Sequence, residues 1–252
     1  MEGIKNVAGD AVNIIYAKGA NISDDPVLVK RTNVFGPETR TPEAMLQEAV
    51  AAAEKSDVIV AVLGEAADMT GESASRADIS IPESQENLLK ALVKTGKPVV
   101  LVLFNGRPLT LVWENQHVNA ILDAWFGGTE AGNAIADVLF GNYNPSGKLS
   151  MSFPVSVGQI PVYYNAKNTG RPYDGKGSPK FKSDYLDIPN DPLYPFGYGL
   201  SYTHFSYSGL LLDHTQISPG HPVQVKLTVS NTGNYDGEET VQLYIRDMVA
   251  SV

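Results

Sequence analysis

Asp57-Val58-Ile59-Val60-Ala61-Val62-Leu63-Gly64 is a near-continuous apolar run closed by a glycine. Such a run suits a strand covered on both faces, as strands of parallel sheets are. The flanking sequence repeats the theme. Downstream, Pro82 to Lys94 carries Leu88, Leu89, Leu92 and Val93 on one helical stripe, with Gly96 placed as a stop. Pro98 to Phe104 reads as a second buried strand and Val118 to Trp125 as a third, followed by a helix from Thr129 to Phe140 that ends at Gly141. Upstream, Thr41-Pro42-Glu43 has the marks of a helix start. Threonine caps, proline fits the first helical position, and an acid sits near the positive end of the dipole. Leu46, Ala49, Val50 and Ala53 follow at helical spacing, and Val12 to Ala17 reads as a further strand. Strand–helix alternation over residues 1–141 predicts an α/β fold: a mainly parallel sheet with helices on both faces.

Residues 142 to about 205 break this pattern. Asn144-Pro145-Ser146-Gly147, Phe153-Pro154, Ile160-Pro161 and Pro192 to Gly199 are dense in turn residues and aromatics. A connection this long is uncommon unless it is functional or wraps another unit. Residues 142–209 are therefore expected to wrap the α/β unit. From Leu210 the period becomes two: Val223, Val225, Leu227 and Val229 alternate with Gln224, Lys226, Thr228 and Ser230. After a turn at Asn231 to Asn234, Thr240 to Ile245 reads as the answering strand. Residues 210–252 are expected to form a truncated β-sandwich with an unpaired edge, since a full sandwich needs about seven strands.

Composition narrows the function classes. The chain has 252 residues, 43% of them hydrophobic and 19% charged, which supports a packed core. The formal net charge is −9, the opposite of what a nucleic-acid duplex needs to replace its counterions. No apolar run of about 18 residues offers a membrane span. Without cysteine there is no disulfide, thiolate metal site or cysteine nucleophile. The opening Met1-Glu2-Gly3-Ile4-Lys5 lacks an apolar signal region, so the chain is expected to be cytoplasmic or an internal piece.

In open α/β sheets, ligands sit beyond the carboxyl ends of the strands. The segment after the run at 57–64 holds Glu65, Asp68, Gly71, Glu72 and Arg76. A carboxyl on such a loop can reach a neighbouring active site as general acid/base. The same residues also suit a solvated acidic loop, and pattern alone leaves both readings open. Gly71 to Ser75 lacks the last glycine of a nucleophile elbow. His117, His204, His214 and His221 show no metal-ligand spacing, and no glycine-rich phosphate loop follows a strand. No cofactor or metal is expected. Asn21-Ile22-Ser23 matches a glycosylation acceptor by chance. Trp113 and Trp125 suit either sugar platforms or core packing.

Four stretches in order resemble glycoside hydrolase family 3: residues 96–109, 124–141, 144–154 and 194–205. They include Leu103-Phe104-Asn105-Gly106-Arg107-Pro108-Leu109, Ala124-Trp125-Phe126-Gly127-Gly128-Thr129-Glu130 and Tyr194-Pro195-Phe196-Gly197-Tyr198-Gly199. The resemblance is to periplasmic β-glucosidases and implies a periplasmic setting. It implies an α/β sandwich and part of a fibronectin type III-like domain, without the family's N-terminal TIM-like barrel. It also implies a retaining mechanism, in which a barrel Asp attacks the anomeric carbon and a Glu on a sandwich loop serves as acid/base. The family's Gly-Glu segment shortly before an Arg maps onto Gly71-Glu72 and Arg76, making Glu72 the candidate. Glu65 is the runner-up, placed also to anchor the loop. The implied partners are a β-glucoside or oligosaccharide and the missing barrel, with β-xyloside as the alternative substrate. The isolated chain is then expected to be inactive, a binding or structural fragment, and to self-associate through its strand edges.

Overall fold

The computed structural model describes residues 1–32, 38–167, 170–173, 175–177 and 180–248. In chain order the elements are α1 (Glu2–Ala8), α2 (Pro26–Thr32), α3 (Pro42–Glu54), β1 (Ile59–Gly64), α4 (Glu83–Lys94) and β2 (Val99–Phe104). There follow α5 (Val112–His117), β3 (Ala120–Asp123), α6 (Ala131–Leu139), β4 (Phe205–Leu212) and β5 (Val225–Asn231). The expected α/β architecture is present. β1, β2 and β3 form a parallel sheet in that order, with Ile59 opposite Val99 and Val100 opposite Ala120.

The helices start and stop where local chemistry directs. The Thr41 hydroxyl accepts the Ala44 N–H at 3.2 Å, and Pro42 occupies the first turn of α3. The chain leaves α4 through Gly96 in a left-handed conformation. Alternation along the strands then builds the core. Ile59, Ala61, Leu63, Val99, Leu101 and Leu103 face Ala49 and Ala53 of α3 and Leu88, Leu89 and Leu92 of α4. Fully burying one such leucine is worth about 1.5–3 kcal/mol.

The opposite face is covered unevenly. Val102 on β2 is fully buried, whereas Val58, Val60 and Val62 are 53%, 36% and 56% exposed. The expectation that the 57–64 run is covered on both faces therefore fails on β1. β1 is one edge of the sheet as described, and this face of it is left partly exposed. The expected strand at 12–17 also joins no sheet among the described residues. Val12 has extended dihedrals, but Ile15 and Tyr16 are exposed, and no neighbouring strand takes up their backbone groups.

The stretch expected to link is held at a few anchored points. Phe153 N–H donates to Tyr194 O at 2.8 Å, Leu193 N–H returns to Phe153 O at 2.8 Å, and Gly197 N–H donates to Leu149 O at 2.7 Å. Phe153 itself is buried in the sheet's core beside Trp125. Beyond it, β4 pairs antiparallel with β5, shifted by a bulge between Ser208 and Leu211. The strand answering the 223–229 alternation is thus β4, which begins at Phe205 inside the stretch assigned to the link. Thr240 to Ile245 is not a strand. Its polar groups are spent on the link instead: Thr240 donates to Ser146 O at 3.1 Å and Gln242 to Gly197 O at 2.9 Å. The last four residues of the 210–252 range lie outside the described residues.

Candidate functional site

The loop that leaves β1 begins under tight constraint. Gly64 has φ 136°, and a Cβ there would lie 1.8 Å from the Phe104 carbonyl oxygen, so only glycine fits. Buried Gln85 of α4 pins the same residue. It accepts the Gly64 N–H at 2.7 Å and donates to the Gly64 carbonyl at 2.9 Å. The Glu65 N–H then donates to Phe104 O at 2.7 Å, which places Glu65 beside the carboxyl end of β2.

The two candidate glutamates part company at this point. The Glu65 side chain is 0% exposed. Arg76 Nη1 lies 2.8 Å from its Oε1, Arg107 Nε lies 3.0 Å from the same oxygen, and the Gly106 N–H donates to Oε2 at 3.2 Å. A buried carboxylate tolerates its desolvation only with such partners. Glu72, by contrast, is exposed at the tip of the loop. Among the described residues no hydrogen bond or ion pair engages its side chain. Gly71 at φ 98° and Ser73 at φ 59° bracket it with left-handed backbone. Arg76, four residues on, turns inward to Glu65 and to the Ser80 carbonyl at 2.9 Å rather than to Glu72.

Arg107 went unrecognised in the sequence. Its Nη2 donates to Met69 O at 2.6 Å and to Ala74 O at 2.7 Å, joining the two arms of the loop. Gly106 beside it abuts Thr70: a Cβ there would lie 2.2 Å from the Thr70 hydroxyl oxygen. The available signal was position. Asn105-Gly106-Arg107 directly follows β2 at the carboxyl end of the sheet, where open α/β sheets place ligands.

The end of β3 adds Asp123. Its Oδ1 accepts the Trp125 N–H at 3.4 Å, while its Oδ2 is buried with no hydrogen-bond partner among the described residues. Burial pushes its carboxyl up to about 6, with the Trp125 N–H and Asn105 opposing. Asp78 moves the other way, held below the usual carboxylate range by the Ser80 N–H and hydroxyl. Met69, Arg76 and Asp78 line a polar recess of about 520 Å³ beside the loop. A larger recess of about 880 Å³ contains no residue of the 65–76 loop. Both tryptophans pack against the core. Trp125 lies against Phe153 at 5.9 Å, and Trp113 is stacked on His117 at 4.4 Å.

Residues 1–202 match the Glycosyl hydrolase family 3 C-terminal domain. The chain is 53% identical over 256 residues to a periplasmic beta-glucosidase of Salmonella typhimurium, covering 100% of this chain and 34% of that protein. It is 42% identical over 252 residues to a beta-xylosidase of Formosa agariphila, covering 100% and 32%. Among solved structures, a beta-glucosidase of Listeria innocua in complex with glucose superposes with a TM-score of 0.78 at 44% identity, covering 86% of this chain and 30% of that one. A b-glucosidase of Erythrobacter marinus gives a TM-score of 0.80 at 35% identity, covering 99% and 34%. The chain thus spans about a third of the length of the relatives it matches.

Proposed function

The chain belongs to glycosyl hydrolase family 3, and we propose that it supplies the acid/base half of a retaining β-glucosidase, with Glu72 as the acid/base residue. One observation carries this reading: of the two loop glutamates, Glu72 is exposed and unengaged, while Glu65 is buried in an ion-pair cluster. In the first step Glu72 donates its proton to the glycosidic oxygen as the bond to the anomeric carbon breaks. An aspartate outside this chain takes that carbon. In the second step the Glu72 carboxylate removes a proton from the water that attacks the glycosyl–enzyme bond. Two carboxyls about 5–5.5 Å apart suit this double displacement. No cofactor enters the scheme.

Glu65 then holds the loop and does not touch substrate. A terminal β-glucoside is the favoured substrate class, supported by the names of the Salmonella and Listeria relatives. The Formosa relative supports β-xyloside as the second reading. The name of the Salmonella relative also supports a periplasmic setting. Residues 210–252 are assigned to part of a fibronectin type III-like domain, and the antiparallel pairing of β4 with β5 supports that. The open edge of β1 supports self-association of the chain.

The test uses two proteins. The 252-residue chain alone is expected to leave an aryl β-glucoside intact. A chimera in which it replaces the matching third of the Salmonella enzyme is expected to hydrolyse that substrate. In the chimera, Glu72→Gln should lower kcat by about 10²–10⁴, the usual contribution of general acid–base catalysis. A Glu72→Gln chimera with undiminished kcat would remove Glu72 from the mechanism.

A further inference from the structure

We propose that Arg107 is a positioning residue for the acid/base loop, a fork that ties the two arms of the loop to the end of β2 and so sets where Glu72 stands. This rests on Glu72 being the acid/base residue. Its own geometry is independent of that reading. The Arg107 guanidinium reaches three loop atoms that are not neighbours in sequence. Nη2 donates to Met69 O before the tip and to Ala74 O after it. Nε faces Glu65 Oε1 at 3.0 Å, though its N–H is not aligned for a hydrogen bond. Glu72 lies between the two tied carbonyls, so the fork closes a span of six residues around it.

The clamp has a second jaw. Arg76, at the far end of the loop, meets the same Glu65 Oε1 at 2.8 Å. One buried carboxylate thus gathers a guanidinium from the end of β2 and another from the loop itself. Gly106 lets the β2 end approach close enough for this, because any side chain there would strike Thr70. A planar guanidinium presents several donors in a fixed fork. A lysine ammonium places all its donors on one nitrogen. Lysine can meet Glu65 or the carbonyls, and it cannot span both.

Two measurements test the fork. In the 252-residue chain, Arg107→Ala should speed hydrogen exchange of the Met69 and Thr70 amides, which are hydrogen-bonded within the tied arm of the loop, by about tenfold or more, while β2 amides stay protected. Arg107→Met, which keeps a stem of similar length and has no donor, should release the loop in the same way. In the Salmonella chimera, Arg107→Ala should reduce kcat/KM far more for phenyl β-glucoside than for 2,4-dinitrophenyl β-glucoside. The second leaving group departs without proton donation, so only a misplaced acid produces this split. Unchanged loop exchange, or equal losses on both substrates, would overturn the proposal. If β2 protection also collapses in Arg107→Ala, Arg107→Met decides by the same readouts. Glu72→Gln separates the two readings. It should show the leaving-group split with normal loop exchange, and its failure to do so would count against Glu72 and leave the loop-exchange result standing.

Discussion

Asp123 holds one carboxylate oxygen buried, with no hydrogen-bond partner among the described residues, at the end of β3, and this makes stability depend on pH. Its folded carboxyl titrates at about 6 against an ordinary 3.8. Between those values the folded chain binds more protons than the unfolded one. The associated stability is therefore fully present below about 3.8 and is lost as the pH rises through about 6. Asp123→Asn should flatten that fall and leave the variant more stable than the parent above pH 6, read from urea midpoints at several pH values. An unchanged pH profile would show that Asp123 does not sense its burial. At this scale the candidate site was half legible. Glu65, Glu72 and Arg76 lie within one short loop, so a scan for charges after a strand finds them. Arg107 and Asp123 arrive from separate strands, and nothing local to either links it to that loop.

Elements were legible where period and punctuation agreed. The start of α3 is an example. Thr41, Pro42 and Glu43 mark it in the sequence, and the Thr41 hydroxyl caps it in the structure. Thr41→Ala should lower stability by about 1 kcal/mol, a drop in Tm of about 2–4 °C for a chain of this size. A melt superimposable on the parent's would mean the cap adds nothing. Strands fared differently. The runs at 59–64 and 99–104 found each other because each supplies a neighbour for the other's backbone. The runs at 12–17 and 240–245 have comparable β-branched content and no such neighbour among the described residues. Strand formation is a property of pairs, and the period of a single run does not disclose its partner.

Across the whole molecule, Phe153 is a buried rivet between the 142–209 stretch and the sheet. It is 1% exposed, with Trp125 at 5.9 Å on one side and Tyr194 at 6.0 Å on the other. Phe153→Ala should cost about 3–5 kcal/mol, the range for deleting a buried aromatic side chain. It should also open residues 155–200 to protease. A loss within about 0.5 kcal/mol, the size of a surface substitution, would show that the link is held elsewhere. The stretch 142–209 is dense in aromatics. Which aromatic would enter the core was not readable, because Phe153, Tyr194 and Phe196 look alike in a one-dimensional pattern.

The residues by themselves determined the α/β alternation, the helix caps, the exclusion of thiol chemistry and the charge balance. All of these follow from composition or from neighbours a few positions apart. Tertiary structure alone decided which glutamate is locked away and which stands free, that Arg107 closes the loop, and that β1 is an edge with one bare face. Each of those depends on which distant segments meet. Desolvation of a charge and pairing of a backbone edge are set by atoms that chain order does not place together.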